Sequence, residues 1–316
     1  MFFKPKTLLI FLSFASSLLI NAQNTQQAIT IDDLLALKKV SDVQISPDGK
    51  WVAYTVLEND IKRDKSLKRL YKIAITGGDP IAITGREFSA SQPQWSSDNK
   101  YLSFLASKGE DEKTQVWISN RLGGDAEVLT KIPQGVNKHI WSPTENKLLL
   151  VLTDPKPEEL TLSKEDDKKA KPYVIDRRQF KQDYVGYLDR YRNHIYTFTP
   201  GDSMATQFTF GDFDDSDPAW SPDGKKIAFV SNRTEDPDSN ADTNIWVVSV
   251  DSKKTDTTLV QVTTNQNQDD SPTWSPNGKY IAYKTVLNGK LLWYAGEKLA
   301  ISSSSGGQAS ILTENL

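Results

Sequence analysis

Cysteine is absent from the 316-residue chain, and histidine occurs only twice, as His139 and His194. Without cysteine the chain can form no disulfide, carry no lipoprotein anchor and perform no thiol chemistry. The histidines lack the spacing of a zinc pair, and no glycine-rich phosphate loop begins a helix. The nucleophile-elbow pattern Gly-x-Ser-x-Gly is also missing. We therefore expect no metal, no cofactor and no catalytic residue in this chain, and no serine hydrogen-bonded to either histidine.

An excess of basic residues is missing as well. The net charge is −3 and the isoelectric point is about 5.6. A protein that binds nucleic acid is normally basic, with its lysines and arginines clustered. The charge therefore predicts no nucleic-acid partner.

Long apolar runs are missing after the N-terminus. Two lysines in the first six residues precede the 14-residue run TLLIFLSFASSLLI, which ends before Asn21-Ala22-Gln23. This run is shorter than the roughly 20 residues of a membrane-spanning helix, and it is typical of a secretory signal peptide. We predict a signal peptide over 1–22, cut after Ala22, and an exported protein, periplasmic or secreted, of a Gram-negative bacterium. A retained N-terminal anchor is the alternative; otherwise no membrane span is expected.

What the chain does contain is a repeat. One phrase recurs five times, as VQISPDGKWVAYTV, PQWSSDNKYLSFLAS, HIWSPTENKLLLVLT, DPAWSPDGKKIAFVSNR and PTWSPNGKYIAYKT. Its copies align on Ile45, Trp95, Trp141, Trp220 and Trp274, with spacings of 50, 46, 79 and 54 residues. A period near 50 is typical of repeat architectures, and the long spacing places about 30 extra residues in the third unit.

Each unit also has a recurring second half. An apolar strand (RLYKIAI, QVWISN, HIYTFT, NIWVVSV or LLWYAG) precedes a turn and a short segment that usually ends in threonine. Three of these turns contain Gly-Gly, which supplies the positive φ angles of a tight hairpin. The second strands are continuously apolar, as expected for a sheet covered on both faces. The sequence thus predicts an all-β protein, a β-propeller of four-stranded antiparallel blades, with five blades present as part of a larger ring.

The predicted organisation is as follows. The signal peptide 1–22 precedes an N-terminal segment, 23–40, with a short helix capped by Asp32. The propeller covers 41–316, with blades at about 41–84, 89–130, 136–211, 214–263 and 268–314, and an insertion at 154–193. We expect the tryptophans to pack between blades.

Acidic residues cluster before the fourth and fifth units. Asp214 and Asp215 precede Trp220, and Asp269 and Asp270 occupy the matching place before Trp274. Corresponding loops of a propeller converge at one end of its channel, so these four carboxylates are candidate channel-mouth acids. Three interpretations stay open: solvated turn residues, attraction of a cationic substrate end, and calcium binding.

Two long stretches carry a resemblance to a known family. GDFDDSDPAWSPDGKKIAFVSNRTEDPDSNADTNIWVV and PYVIDRRQFKQDYVGYLDRYRNHIY, with the Trp-Ser-Pro-Asp-Gly-Lys phrases, resemble the N-terminal propeller of exported prolyl oligopeptidase family serine peptidases, of the acylaminoacyl-peptidase and dipeptidyl-peptidase type. The resemblance covers nearly everything from Ile31 onward. It implies a longer enzyme in which a C-terminal α/β-hydrolase domain cleaves a peptide substrate and the propeller admits and orients it. We expect this chain to be a piece of such an enzyme, and inactive alone.

The resemblance also implies site residues. In dipeptidyl-peptidase-like members an aromatic residue and an adjacent Glu grip the peptide amine, whereas the matching stretch here reads Tyr187-Leu188-Asp189. An aminopeptidase or acylaminoacyl-peptidase specificity therefore stays open. The substrate-binding candidates are Phe180, Tyr187, Asp189, Arg190 and Glu235; bracing of two domains is the other interpretation of the insertion. The alternative function is a stand-alone binding module similar to the propeller of TolB-type translocation proteins.

Overall fold

A computed structural model of the chain describes residues 28–85, 88–109, 112–155, 175–183, 185–250 and 259–314. The predicted signal peptide and most of the charged part of the insertion lie outside these ranges. Two units are present, 1–37 and 38–316. None of the helices in the described ranges is both long and apolar enough to cross a membrane.

The described part of the first unit, residues 28–37, contains the helix α1, which spans Ile31–Ala36. Its cap is Thr30 and not Asp32, so the predicted cap was wrong. The Thr30 hydroxyl accepts a hydrogen bond from Asp33 N at 3.2 Å, and the Asp33 carboxylate accepts one from Thr30 N at 2.9 Å. This reciprocal capping box needs an acceptor side chain three residues after the cap. Asp33 supplies it for Thr30, whereas Leu35 follows Asp32 at that spacing.

In its described residues, the second unit contains five four-stranded antiparallel sheets, which we call blades 1 to 5, and one two-stranded sheet. Blade 1 has the strands β1 Lys39–Ile45, β2 Trp51–Asp60, β3 Lys65–Ala74 and β4 Ile81–Ala82. Blade 2 has β5 Ala90–Trp95, β6 Tyr101–Ala106, β7 Gln115–Asn120 and β8 Glu127–Val128. The all-β propeller architecture predicted from the repeat is confirmed.

Blade 3 is interrupted by a small hairpin. Its sheet has β9 Lys138–Trp141, β10 Leu148–Asp154, β13 Arg192–Phe198 and β14 Thr206–Gln207, and the hairpin between β10 and β13 has β11 Lys181–Gln182 and β12 Gly186–Tyr187. Blade 4 has β15 Asp215–Trp220, β16 Lys226–Ser231, β17 Asn244–Ser249 and β18 Val260–Gln261. Blade 5 has β19 Asp269–Trp274, β20 Tyr280–Val286, β21 Glu297–Ser303 and β22 Ser310–Ile311.

One predicted strand was wrong. The segment LLWYAG lies largely in a 3-10 helix, Gly289–Tyr294, and the third strand of blade 5 is β21. The register explains the difference, because β21 pairs with β20 from Val286 opposite Glu297 to Tyr280 opposite Ser303. Apolar composition alone could not distinguish the two segments. A second 3-10 helix, Pro237–Ser239, lies in the connection between β16 and β17.

The second strands explain the continuous apolar runs. In β10, Leu148, Leu150 and Leu152 belong to the core shared with blade 2, whereas Leu149 belongs to the core shared with blade 4. Alternate residues of a strand point to opposite faces of the sheet. The inner strand β10 therefore supplies two inter-blade cores, and both of its faces are apolar.

The recurrent Ser-Pro-Asp-Gly phrase is a turn between the first two strands. In blade 1 the Ser46 hydroxyl donates to Asp48 Oδ1 at 2.6 Å and accepts from Trp51 N at 2.9 Å, while Asp48 Oδ1 accepts from Lys50 N at 3.2 Å. The same three bonds recur in blades 2, 4 and 5, at Ser96, Ser221 and Ser275. The hydrogen bond from Ser46 holds the pKa of Asp48 well below its usual range. The phrase is a folding signal.

The tryptophan that ends the first strand in blades 2 to 5 joins neighbouring blades, as predicted. The indole Nε1 of Trp95 donates to Gln44 O at 3.4 Å, Trp220 to Ile140 O at 3.3 Å and Trp274 to Ala219 O at 3.1 Å. Trp141 donates to the Ser103 hydroxyl at 2.8 Å. Every one of these bonds runs to the preceding blade. In blade 1 the same position holds Ile45, which is exposed.

A threonine after the fourth strand closes every blade. Its hydroxyl accepts a hydrogen bond from a main-chain N–H of the third strand, at 2.9 to 3.0 Å in all five cases. The five threonines are Thr84, Thr130, Thr209, Thr263 and Thr313. This bond satisfies an N–H that the two-residue fourth strand does not reach, which explains why threonine recurs there.

Candidate functional site

Two long connections lie at the same end of the propeller, which we call the insertion end. Residues 155–191 connect β10 to β13 in blade 3, and residues 232–243 connect β16 to β17 in blade 4. Both link a second strand to a third strand, so they extend from neighbouring blades at the same end of the propeller. First strands begin at this end too, which brings the acidic segment 212–217 beside both connections.

The predicted residues Phe180 and Tyr187 lie on the small hairpin of the insertion. Leu188 N donates to Phe180 O at 2.8 Å, and Lys181 Nζ lies 5.9 Å from the centre of the Tyr187 ring. The two aromatic residues are 41% and 59% exposed, respectively. Exposed aromatic rings are able to stack on a ligand, whereas the repeat tryptophans Trp95, Trp141 and Trp220 are buried between blades.

Asp189 and Arg190 lie at the base of the hairpin. The Asp189 carboxylate accepts from Tyr191 N at 2.9 Å, and its main-chain oxygen accepts from Arg177 Nη1 at 2.5 Å. Arg190 donates from Nε to the Asp176 carboxylate at 2.8 Å. The guanidinium of Arg190 is thus already engaged within the insertion. Glu235, the fifth predicted residue, is exposed on the 232–243 connection.

The four predicted channel-mouth acids fall into two classes. Asp214 accepts from Asn193 N at 2.9 Å and from Arg192 at 3.3 Å, and Asp270 lies 3.0 Å from Lys284 Nζ. Their side chains remain partly exposed. Asp215 and Asp269 are completely buried. The prediction that these two carboxylates line an open channel mouth was therefore wrong. The first residue of each of these strands faces the core between blades, and solvent does not reach it.

Asp215 belongs to a row of buried polar and charged side chains that the sequence analysis did not predict. Its Oδ1 accepts from Arg233 Nη2 at 2.8 Å, and its Oδ2 lies 3.2 Å from His194 Nδ1. Beyond the imidazole, His194 Nε2 lies 3.9 Å from the Asp154 carboxylate. Asp154 also accepts from the Tyr196 hydroxyl at 2.5 Å. Burial, with the bond to Asp154, raises the pKa of Tyr196.

Three aromatic rings surround the guanidinium of Arg233. The Arg233 guanidinium carbon lies 5.0 Å from the ring centre of Phe213, 5.5 Å from that of Phe229 and 5.7 Å from that of Trp246. These distances are within the range of cation–π attraction. The sequence contains a signal for this row of side chains, because the thirteenth residue after the repeat tryptophan is charged in both blades. It is Asp154 in blade 3 and Arg233 in blade 4.

Asp269 is the blade 5 counterpart of Asp215 but has different neighbours. Asn265 Nδ2 donates to its Oδ1 at 2.6 Å. Leu287 occupies the place of Arg233, and Asn244 occupies the place of His194. Burial raises the pKa of Asp269, against the opposing hydrogen bonds of Thr263, Thr285 and Asn265.

One serine does bond a histidine, so the expectation that neither histidine would do so was wrong. Ser103 Oγ lies 2.8 Å from His139 Nε2, 2.8 Å from Trp141 Nε1 and 3.1 Å from Gln94 O. The indole can only donate, and the carbonyl can only accept. The hydroxyl proton therefore goes to Gln94, and the imidazole donates to the serine.

This polarity is the reverse of an activated nucleophile, in which the imidazole accepts the hydroxyl proton. Ser103 is 0% exposed and His139 is 1% exposed, so no substrate reaches them. Burial lowers the pKa of His139 to about 3, and the ring stays neutral. The pair is a structural element of the core between blades 2 and 3. In the described part of the chain, no three His, Asp or Glu side chains are grouped to hold a metal ion.

Sequence comparison finds peptidases. The chain is 28% identical over 224 residues to the uncharacterized peptidase YuxL of Bacillus subtilis, which covers 71% of this chain and 34% of the relative. It is 26% identical over 284 residues to dipeptidyl-peptidase 5 of Porphyromonas gingivalis, which covers 82% of this chain and 39% of the relative. The chain thus spans somewhat more than a third of the length of these relatives. No protein-family model matches it.

Comparison of folds finds propellers. Acylaminoacyl peptidase of Pyrococcus horikoshii matches with a TM-score of 0.65 and 15% identity, over 90% of this chain and 40% of that one. The putative TolB of Agrobacterium tumefaciens matches with a TM-score of 0.55 and 19% identity, over 87% of this chain and 80% of that one. Both likenesses concern the fold. Together with the sequence relatives, they confirm the predicted resemblance to peptidase propellers.

Proposed function

We propose that this chain, a propeller of the prolyl oligopeptidase type, gates and orients short peptides for an α/β-hydrolase domain that carries the catalytic serine. The propeller would admit short or unfolded peptides at the insertion end and hold their N-terminal end there. Cleavage would fall to the hydrolase domain, the expected partner. The whole protein would then be an exported serine exopeptidase.

The observation that carries this proposal is the pair of exposed aromatic rings, Phe180 and Tyr187, on the hairpin of the insertion. Stacking on a peptide side chain or on its main chain requires such a surface. The peptidase relatives support the substrate class. The carboxylates of Asp189 and Glu235 at the same end favour a peptide with a free, positively charged amine.

A kinetic experiment on the enzyme encoded by the complete gene tests this role. Reading the gene beyond codon 316 is the first step, and a segment with Gly-x-Ser-x-Gly and a later His is expected. Dipeptidyl, aminoacyl and acylaminoacyl chromogenic substrates then establish the specificity. The double variant Phe180→Ala, Tyr187→Ala should raise KM about tenfold with little change in kcat, because it removes binding and leaves the chemistry intact.

Tyr101→Ala is the matched control, since Tyr101 is a partly exposed aromatic residue that begins the second strand of blade 2, at the opposite end. Unchanged KM in the double variant would contradict substrate binding by the hairpin.

The location of the protein is part of the same proposal. The N-terminal run is typical of a secretory signal, and an exported peptidase would meet peptides outside the cytoplasm. Cell fractionation with N-terminal sequencing of the mature protein tests this: we expect the first residue to be Gln23. A cytoplasmic protein that retains Met1 would overturn it.

A binding module is the second candidate, favoured by the likeness to the putative TolB, of which 80% is covered. Such a module would bind a protein through the insertion end and would need no hydrolase domain. A stop codon directly after codon 316, with stable binding of a folded protein, would favour it over the peptidase.

A further inference from the structure

We propose that Asp238 and Arg177 form a positioning pair that fixes the hairpin of blade 3 against blade 4, and thereby sets the affinity for peptide. We call Arg177, Asp189 and Asp238 the clamp. The effect on peptide affinity rests on the proposed function, whereas the clamp is argued from the distances between its atoms.

The 232–243 connection is a preformed platform. Thr234 Oγ1 donates to Asn232 Oδ1 at 2.7 Å, and Asn232 Nδ2 donates to Asn240 Oδ1 at 2.9 Å. Asn240 Nδ2 in turn donates to Asp236 O at 2.9 Å. The connection is thus cross-linked by its own side chains around the 3-10 helix that contains Asp238. A carboxylate carried by such a loop has a defined position.

Asp238 uses both carboxylate oxygens to hold the insertion. Its Oδ1 accepts from Arg177 Nη2 at 2.6 Å and from Nε at 3.1 Å, and its Oδ2 accepts from Arg178 N at 2.9 Å. The side chains of Arg177 and Asp238 are only 13% and 20% exposed. Burial opposes ionisation of Asp238, but the bonds from Arg177 and Arg178 outweigh it and keep the pKa below its usual range.

Arg177 also closes the base of the hairpin. Its Nη1 donates to Asp189 O, so residues twelve apart are joined by one guanidinium. An arginine can do this because its five N–H groups form a planar fork that contacts two partners at once. Phe180 and Tyr187 lie between these two points on the chain.

The hairpin itself is small. Each of its strands, β11 and β12, has two residues, and an isolated two-stranded hairpin is marginally stable in water. Lys181, Gln182 and Tyr187 are exposed. The position of the two aromatic rings therefore depends on the clamp, and loosening the clamp should weaken peptide binding without unfolding the propeller.

Hydrogen exchange of the 316-residue chain tests the clamp, and the Leu188 amide, which donates to Phe180 O, is the reporter. We expect Asp238→Asn to accelerate its exchange about tenfold, while amides of β10 keep their rates and the melting temperature changes little. Asp238→Glu, which keeps the charge, should restore part of the protection. Asp236→Asn is the matched control, because Asp236 lies 3.5 Å from Arg178 in an exposed pair that should contribute little.

Affinity for tri-alanine, a short peptide with a free amine, tests the consequence. Asp238→Asn should weaken binding at least fivefold, and Asp236→Asn should not. Unchanged exchange of the Leu188 amide would overturn the clamp. Faster exchange with unchanged peptide affinity would overturn its positioning role. If the wild-type chain binds no tri-alanine, the proposed function fails, and the exchange result still decides the clamp.

Discussion

Arg233 Nη2 lies 2.8 Å from Asp215 Oδ1, and the pair is almost entirely removed from water between two blades. A buried ion pair is weak evidence for net stabilisation, because both charges lose their hydration. Removing one partner is different, since the other charge is left uncompensated. The pair therefore makes the seam between blades 3 and 4 sensitive to single substitutions.

We predict that Arg233→Met lowers the free energy of unfolding by about 3–5 kcal/mol, because Asp215 is then buried with only His194 beside it. Urea unfolding of the purified chain measures this. Asp214→Asn is the control: its half-exposed carboxylate pairs with Arg192, and we expect a loss of about 1 kcal/mol or less. Equal losses in the two variants would contradict the role assigned to burial.

Asp269→Asn should stabilise the protein at neutral pH. The folded state raises the pKa of Asp269, so between the unfolded value near 3.8 and the raised folded value the folded state binds more protons than the unfolded state. Stability of the wild type therefore falls as pH rises through this window. The advantage of the Asn variant should grow over the same window and then become constant. Thermal unfolding between pH 4 and pH 8 measures the difference, and an advantage that shrinks with pH would refute the raised pKa.

Ser103→Ala should destabilise the fold. The His139 and Trp141 donors lose their buried acceptor, at a cost of about 1–3 kcal/mol. Ser119→Ala is a control at a similarly buried serine whose hydroxyl makes only a 3.5 Å contact. We also expect the 316-residue chain to release no product from aminoacyl or dipeptidyl chromogenic substrates. Turnover that is blocked by a serine-directed phosphonate and lost in Ser103→Ala would falsify the structural role.

The closing threonines allow a comparison between a buried and an exposed copy of one hydrogen bond. Thr130→Val removes the acceptor for the buried Val116 N–H, together with the 2.8 Å bond that the Thr130 hydroxyl donates to Gln115 Oε1, and should cost about 1–3 kcal/mol, whereas Thr130→Ser should keep both bonds. Thr313→Val removes the same bond from Leu299 N, which lies in an exposed part of blade 5 where water can replace it. We expect a loss of about 0.5 kcal/mol or less there. Urea midpoints of the three variants provide the test.

The sequence repeat was sufficient to predict most of the fold. Regular spacing of tryptophan, turn and apolar strand sufficed to predict five four-stranded blades, since each unit must cover both faces of its sheet. The weak point was blade 5, where LLWYAG matches a strand in composition but forms a 3-10 helix. Composition specifies a buried segment, whereas pairing partners specify the strand.

The candidate site was less predictable. Phe180 and Tyr187 were chosen from the family resemblance, and both are exposed on the hairpin, while their role in binding stays a prediction. The engagement of Arg190 with Asp176, and the burial of Asp215 beside Arg233, depend on which loops of neighbouring blades meet. Charges that are close in space but far apart in sequence leave little trace in a single sequence.

The indole hydrogen bonds between blades all point the same way along the chain. Each new repeat brings its own donor, and the acceptor is already present in the repeat before it. During synthesis on a ribosome, a freshly emerged blade can therefore dock on a finished neighbour without waiting for anything downstream. The order of these bonds permits docking from the N-terminal to the C-terminal blade, and Ile45, which has no N–H on its side chain, supplies no such donor in blade 1.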